Sequence, residues 1–520
     1  LEDANGAFQI AEKAKSFVLL LAILNAGAKQ YGVLPAEMVE QERRLKIEIA
    51  FYEKKMYEAK SSGNNDKADE YQVEVAKLKD SLYQFIAGLE KTYPAYHQLK
   101  YDLSVATIED AQNLLSKDQA LLSYFTGDSS IYIFKILKDT FEVFQIKKDF
   151  PLEQWIAALD SAVSKSASGA SDSVYVENAF RLYQKIFAPV ANTGRALPAR
   201  ATIIPDGALN HINFDYLLAE QPEVAENYSD HKYLVHGYAF SYCYSATLLQ
   251  EVMKKQSPQQ NSMVAFAPLF KFNDTTAQEA EEDDLLAEAR SVRGVFTRNG
   301  WGALYHNIPE ARGVSNIMGG RLFDSSRATI QNFETHAKSA GIIHLATHGR
   351  ADADDDFSCL VFAQPSTHAD YELLYTRDIY NMNLPAAMVT LSACETGTGN
   401  LRKGEGLMSL ARAFFYAGAK SIVPTLWSID DSGTKLLMNR FYEYLDTGLP
   451  KDLAMQQAKL SMLKSENPRP YYWAAPIVIG DARPLDLNSK GSFFMPFVWF
   501  SLAGIVVCFF LVVNIKRKKQ

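Results

Sequence analysis

Two segments of this chain share one design. Ile342-Ile343-His344-Leu345-Ala346-Thr347 runs almost wholly apolar into His348-Gly349, and Ala387-Met388-Val389-Thr390-Leu391-Ser392-Ala393 runs the same way into Cys394, with Gly397 in the turn beyond. Short apolar runs that do not alternate with polar residues, and that end at glycine, read as strands buried on both faces, and such strands build parallel sheets covered by helices. From about Ala201 to Gly480 short apolar strands alternate with helical segments. The fold class is therefore α/β, a mainly parallel sheet flanked by helices. In open sheets of this kind the carboxyl ends of the strands form the ligand crevice. Two such tips on neighbouring strands bring His348 and Cys394 side by side at that edge.

The residue types at the two tips suit acyl transfer. A free thiol has a pKa of about 8.5 and is mostly protonated at neutral pH, so it needs an imidazole to raise its thiolate fraction or take its proton. His348 fills that role for Cys394. An acyl-transfer oxyanion needs backbone donors, each lowering the barrier by about 3 to 4 kcal/mol; the amides of Gly349 and Cys394 are the candidates. The remaining cysteines, Cys243, Cys359 and Cys508, form no CxxC pair and no disulfide framework. Cys359 and Cys508 read as packing residues. His344 and His348 have the spacing of a helical metal site, but the β-branched run around them favours a strand and supplies no third ligand. No metal and no cofactor is expected.

At 520 residues the chain exceeds a single core, which stops growing at roughly 250 to 300 residues. Residues 1–34 read as the end of a helical, repeat-like region, with Phe8, Ala11, Ala14 and Phe17 on one face of an amphipathic helix. Residues 35–92 read as an antiparallel helical hairpin, Leu45, Ile49, Tyr52 and Tyr57 facing Tyr71, Val75, Leu78, Leu82 and Phe85. Residues 93–200 carry three strands in hairpins, turned at Gly127-Asp128 and Lys138-Asp139, and then two helices. The α/β alternation proper occupies 201–484. A net charge of -8 without a basic patch argues against a nucleic-acid partner.

The apolar run within 493–515 is free of charge from Phe493 to Val513, about 21 residues, enough for a helix of about 30 Å. It reads as a single transmembrane helix, followed by the basic tail 516–520. The positive-inside rule keeps Lys516 to Lys519 cytoplasmic. That puts the α/β region on the extracytoplasmic or periplasmic side, a bacterial setting, with a cytoplasmic tail-anchored arrangement as the other choice. Leu1 in place of methionine reads as a processed form or a fragment.

The two tip motifs, with Ile204-Pro205-Asp206-Gly207-Ala208-Leu209, Tyr244-Ser245-Ala246-Thr247, Gly404-Glu405-Gly406-Leu407, Ala411-Arg412-Ala413-Phe414, Leu426-Trp427-Ser428-Ile429-Asp430-Asp431 and Tyr472-Trp473-Ala474-Ala475, resemble the CHAT peptidase family. Its members are relatives of caspases, separases and legumains, often fused to tetratricopeptide repeats. The resemblance covers roughly residues 170 to 482, and makes 93–200 the N-terminal part of the CHAT region and 201–484 its caspase-like domain. It implies a His/Cys dyad at His348 and Cys394, cutting a peptide bond without metal or cofactor. It also implies a specificity pocket near Asp430 and Asp431, whose carboxylates would select Arg or Lys in the substrate; alternatively one of them caps the helix starting at Ser432. Glu395 belongs to the same pocket or orients a loop. The expected function is regulated limited proteolysis of a protein or peptide, the helical region sensing a regulatory protein partner. The competing reading is a catalytically silent, membrane-bound scaffold acting through protein contacts. The acidic run Asp352, Asp354, Asp355 and Asp356 lacks the glycine and glutamate of a calcium loop and lines the cleft or forms a solvated turn.

Overall fold

In a computed structural model of the chain, the apolar runs become strands of one eleven-stranded sheet. The structure describes residues 3–15, 34–61, 63–93, 104–164, 172–225, 227–255, 262–270, 301, 303–350, 358–363, 371–392, 401–402, 406–407, 410–427 and 431–487. The strands in chain order are β1 (Gln119–Thr126), β2 (Ser130–Leu137), β3 (Phe141–Lys147), β4 (Arg200–Ile204), β5 (Ala239–Tyr242), β6 (Met263–Ala267), β7 (Arg321–Asp324), β8 (Ile342–Ala346), β9 (Gly349–Arg350), β10 (Cys359–Phe362), β11 (Glu372–Tyr375), β12 (Met388–Ser392), β13 (Leu401–Arg402), β14 (Gly406–Leu407), β15 (Ser421–Val423) and β16 (Ile479–Gly480). The large sheet has the order β3-β2-β1-β4-β5-β16-β15-β12-β8-β6-β7, while β11-β10-β9 and β13-β14 form two small ones.

The sheet is mostly parallel, as expected, but in two blocks. β1, β4, β5 and β16 run parallel to one another, as do β15, β12, β8, β6 and β7 among themselves, while β2 and β3 add an antiparallel hairpin at the β1 edge. Between the blocks β15 and β16 pair antiparallel. The carboxyl ends of β8 and β12 therefore lie on the opposite edge from those of β4 and β5, and one crevice cannot collect all the strand tips. The seam depends on Gly480, whose φ of 91° is left-handed and whose Cβ, were there one, would stand 2.5 Å from the Lys420 carbonyl oxygen. β4, β6, β8 and β12 are buried along their whole length, which explains why their sequences show no alternation.

Labelled in chain order, the helices that matter most are α1 (Ala4–Lys13), α2 (Ala36–Ser61), α3 (Asn65–Thr92), α4 (Asn307–Met318), α5 (Thr376–Tyr380), α6 (Leu410–Ala417), α7 (Asp431–Asp446) and α8 (Lys451–Met462). α8 is pinned by two buried ion pairs, Lys459 Nζ to Asp215 Oδ2 at 2.6 Å and the Arg200 guanidinium to both Asp452 oxygens at 2.9 and 3.0 Å. Burial in an apolar interior pushes the Lys459 amine down from its ordinary value, while Asp215 opposes the shift.

The N-terminal helix is part of the same interior. On α1, Phe8 packs edge-on against Phe134 of β2 at 5.4 Å. The Glu12 Oε2 accepts from the Thr247 amide and hydroxyl, each at 2.9 Å, and just past the helix the buried Lys15 amine donates to Ser123 Oγ at 2.8 Å. α2 and α3 form the helical hairpin. Asn64 caps α3 by accepting from the Lys67 amide, and Leu34, Met38 and Val39 at the start of α2 meet Phe85, Leu89 and Tyr93 at the end of α3, so the helices run antiparallel. Leu1–Leu485 forms one compact unit and Asp486–Gln520 a second.

The membrane reading is corrected. No helix among the described residues is long and apolar enough to cross a membrane, and both 493–515 and the tail 516–520 lie outside those residues. An apolar run meets only the length condition. A span also needs a helix that satisfies every backbone group internally, and none among the described residues supports the single-pass localisation or the membrane as a partner.

Candidate active site

The two tip strands are direct neighbours in register. β8 and β12 pair parallel from Ile342 opposite Met388 to Ala346 opposite Ser392, and the Thr347 amide continues the ladder by donating to the Ser392 carbonyl at 3.3 Å. His348 stands two positions past Ala346, and Cys394 the same two positions past Ser392. Cys394 itself lies outside the described residues, as do Glu395 and Asp430. Asp431 opens α7, but its side chain is likewise outside them. Gly349 begins β9, directly after the histidine.

His348 is half-buried in an aromatic setting. The Phe270 ring meets it edge-on, with centroids 4.5 Å apart, and the Trp301 indole stacks on it at 5.6 Å and 28°. Phe270 in turn packs on Tyr371 at 4.8 Å, whose hydroxyl donates to the Leu269 carbonyl at 3.1 Å. The Arg350 guanidinium lies 5.6 Å over Trp301. The backbone is fixed as well, since the His348 carbonyl accepts from the Val361 amide at 3.0 Å where β10 passes.

Asn307, buried at the start of α4, ties the supporting loops together. Its Nδ2 donates to the Pro268 carbonyl at 2.7 Å and to the Ala346 carbonyl at 3.2 Å. Pro268 leads to Phe270 and Ala346 to His348, so one amide group holds both approaches. Trp301 also packs against the buried pair Cys359 and Tyr375, together with Leu373 and with Tyr57 of α2. Burial first, and then the Cys359 thiol, push the Tyr375 hydroxyl up to about 12.

His344 has separate contacts. It is fully buried on β8, its Nε2 lying 3.0 Å from Glu310 Oε1 without the alignment of a hydrogen bond. Its Nδ1 lies 3.3 Å from the Tyr442 hydroxyl, which reaches Thr390 Oγ1 at 2.8 Å. Its strand position and buried contacts are those of a core histidine. Cys359, read as a packing residue, is also buried, as is Cys243. The acidic run from Asp352 to Asp356 lies outside the described residues.

Sequence reasoning missed Phe270, Trp301, Asn307 and Arg350. Trp301 follows Arg298-Asn299-Gly300 and Asn307 sits in the unpatterned run Tyr305-His306-Asn307-Ile308-Pro309, so neither carries a local signal. Only the path of the chain through space assembles them around the histidine.

A buried parallel strand ending in histidine, with an in-register neighbour leading to a cysteine, fits the class of α/β fold that the two tips anticipated. The CHAT domain profile matches residues 176–481, more than half of the chain, and the chain belongs to that family. The match supports a caspase-like peptidase fold. Human tetratricopeptide repeat protein 28 is 25% identical over 225 residues, covering 37% of this chain and 9% of that protein, and its mouse counterpart matches equally. The chain thus spans about 9% of the length of these curated relatives. They are mammalian, so the bacterial setting finds no support in them. Among solved structures, the Saccharomyces cerevisiae separase–securin complex gives a TM-score of 0.44 at 7% identity, covering 79% of this chain and 34% of that one. The pro- and mature domains of Porphyromonas gingivalis RgpB give 0.35 at 10%, covering 64% and 76%.

Proposed function

We propose that the chain is a cysteine endopeptidase with Cys394 as nucleophile and His348 as base, performing limited proteolysis of a protein substrate. The observation that carries this reading is the in-register pairing of β8 with β12, which gives the two residues equal offsets from paired positions. In the proposed reaction His348 takes the Cys394 proton and the thiolate attacks the scissile carbonyl carbon. The amides of Gly349 and Cys394 receive the oxyanion, and the imidazolium returns its proton to the leaving amine. Water then hydrolyses the thioester, with His348 again the base.

Asp430 and Asp431, with Glu395, are proposed to favour a basic residue before the cut, through charge-assisted bonds to Arg or Lys. The helical region is proposed to engage a regulatory protein, a role for which the relationship to a tetratricopeptide repeat protein is the support. The test is a peptidyl acyloxymethyl ketone bearing Arg at its terminal position, applied to the native chain. Labelling should map to Cys394 and be lost in His348→Ala. Labelling that survives His348→Ala, or that never reaches Cys394, favours the silent scaffold instead.

A further inference from the structure

We infer that Trp301 is a positioning residue for His348, and that the helical hairpin holds Trp301 in place. The inference rests on the reading of His348 as the base. An imidazole at a strand tip has two free torsions, and general-base catalysis requires its ring plane to be set before substrate arrives. Here two aromatic rings from separate segments of the chain set the plane. Trp301 covers one face at 28° from parallel, and Phe270 meets the ring at 74°. With an indole on its face and a phenyl edge closing another direction, the imidazole cannot swing without displacing one of them.

Phe270 has an anchorage of its own. It is buried, it packs on Tyr371, and the loop before it is tied to β8 through Asn307. Trp301 is anchored by a different route. It packs against Cys359 and Tyr375, and so does Tyr57 of α2, so hairpin and indole share one buried pair as their support. The hairpin is fastened to that support by charge. Glu53 Oε2 accepts from Arg377 Nη1 of α5 at 3.0 Å, Glu53 Oε1 lies 2.7 Å from Lys79 Nζ of α3, and the Lys54 amine sits 5.1 Å over the Tyr375 ring. Arg377 is buried, so this ion pair is not an interchangeable surface contact. A continuous set of contacts thus runs from both hairpin helices through Tyr375 and Cys359 to Trp301 and on to His348. A displacement of α2 reaches the imidazole plane through the indole.

The experiment uses the full chain carrying histidine labelled with carbon-13 at Cε1, the His348 resonance being assigned by its loss in His348→Gln. Trp301 should shift that resonance by its ring current. Trp301→Leu is expected to move it and to slow labelling of Cys394 by the Arg-terminated ketone about tenfold to a hundredfold, the scale on which small misplacements act. Trp301→Phe should restore most of both, and Tyr57→Ala should move the resonance part of the way. A His348 resonance unmoved in Trp301→Leu overturns the inference, as does a Tyr57→Ala resonance identical to wild type. If Trp301→Leu does not fold, Trp301→Phe and Tyr57→Ala decide by the same resonance. The resonance reads ring geometry whether or not the chain is a peptidase, whereas His348-dependent labelling of Cys394 in the parent chain tests the peptidase reading alone, so the two can fail separately.

Discussion

Asn307→Ala is the substitution whose cost can be worked most directly from the geometry. The Asn307 amide makes one short bond to the Pro268 carbonyl at 2.7 Å and one longer bond to the Ala346 carbonyl at 3.2 Å, from a side chain shielded from water. Removing a donor from a buried acceptor costs about 1 to 3 kcal/mol, because the acceptor loses its partner without regaining solvent. The shorter bond counts near the middle of that range and the longer one at its low end, which gives about 2 to 3 kcal/mol. Asn307→Asp sharpens the test. It keeps the shape but sets a carboxylate oxygen against two carbonyl oxygens, and should cost more than alanine at neutral pH. Its folded-state pKa should be raised above the unfolded value, so the loss shrinks as pH falls and the carboxyl takes up a proton able to serve as donor. Hydrogen exchange at the β6 and β8 amides is the assay. A cost of 2 to 3 kcal/mol appears as a loss of protection of about 30- to 150-fold where those amides exchange through global opening. An alanine variant within about 0.5 kcal/mol of wild type, or an aspartate variant as stable as wild type at neutral pH, refutes the argument by showing that these carbonyls find other donors.

Native alkylation at mild alkaline pH should leave Cys243 and Cys359 unmodified, since both are buried and burial pushes the Cys243 thiol up to about 12; mass-spectrometric mapping of either as fast-reacting refutes this. Lys451 is buried, and desolvation pushes its amine down to about 8, against about 10.4 for a free lysine. Between those values the unfolded chain keeps a proton the folded chain has released, so this contribution to stability rises with pH. Subtracting Lys451→Met from wild type should expose a gain on the order of 3 kcal/mol over that window, and a difference flat with pH contradicts it. Gly480→Ala forces a left-handed φ of 91° on alanine and drives its Cβ to 2.5 Å from a backbone oxygen that cannot rotate away. A loss of about 3 kcal/mol is expected, and thermal unfolding within a degree of wild type rules the estimate out.

β8 and β12 were legible because an uninterrupted apolar run ending at a glycine-bearing turn has few other structural solutions. The hairpin of α2 and α3 was legible from the apolar residues of its two halves, and β1 to β3 from their turns. The seam between β15 and β16 was not, because β16 is the dipeptide Ile479-Gly480 and two residues carry no period. The docking of the first helix was half legible. Phe8 and Ala11 announce an apolar face, but nothing near Glu12 and Lys15 in the sequence points to their burial, and only partners distant in the chain, Thr247 and Ser123, make it tolerable. The aromatic surroundings of His348 were invisible for the same reason. Phe270 and Trp301 reach it from separate segments, and no spacing rule links them to the histidine.

The pairing of β1 with β4 bears on how this protein can be handled in pieces. The CHAT match starts at residue 176, yet residues 119 to 123 complete the ladder of β4, all five of whose residues are buried. Cutting the chain at the start of the match would bare that strand's amides and carbonyls along an apolar flank, a ready template for joining one copy to another. The stretch that kinship delimits and the stretch that leaves β4 paired on both sides are different lengths of polypeptide.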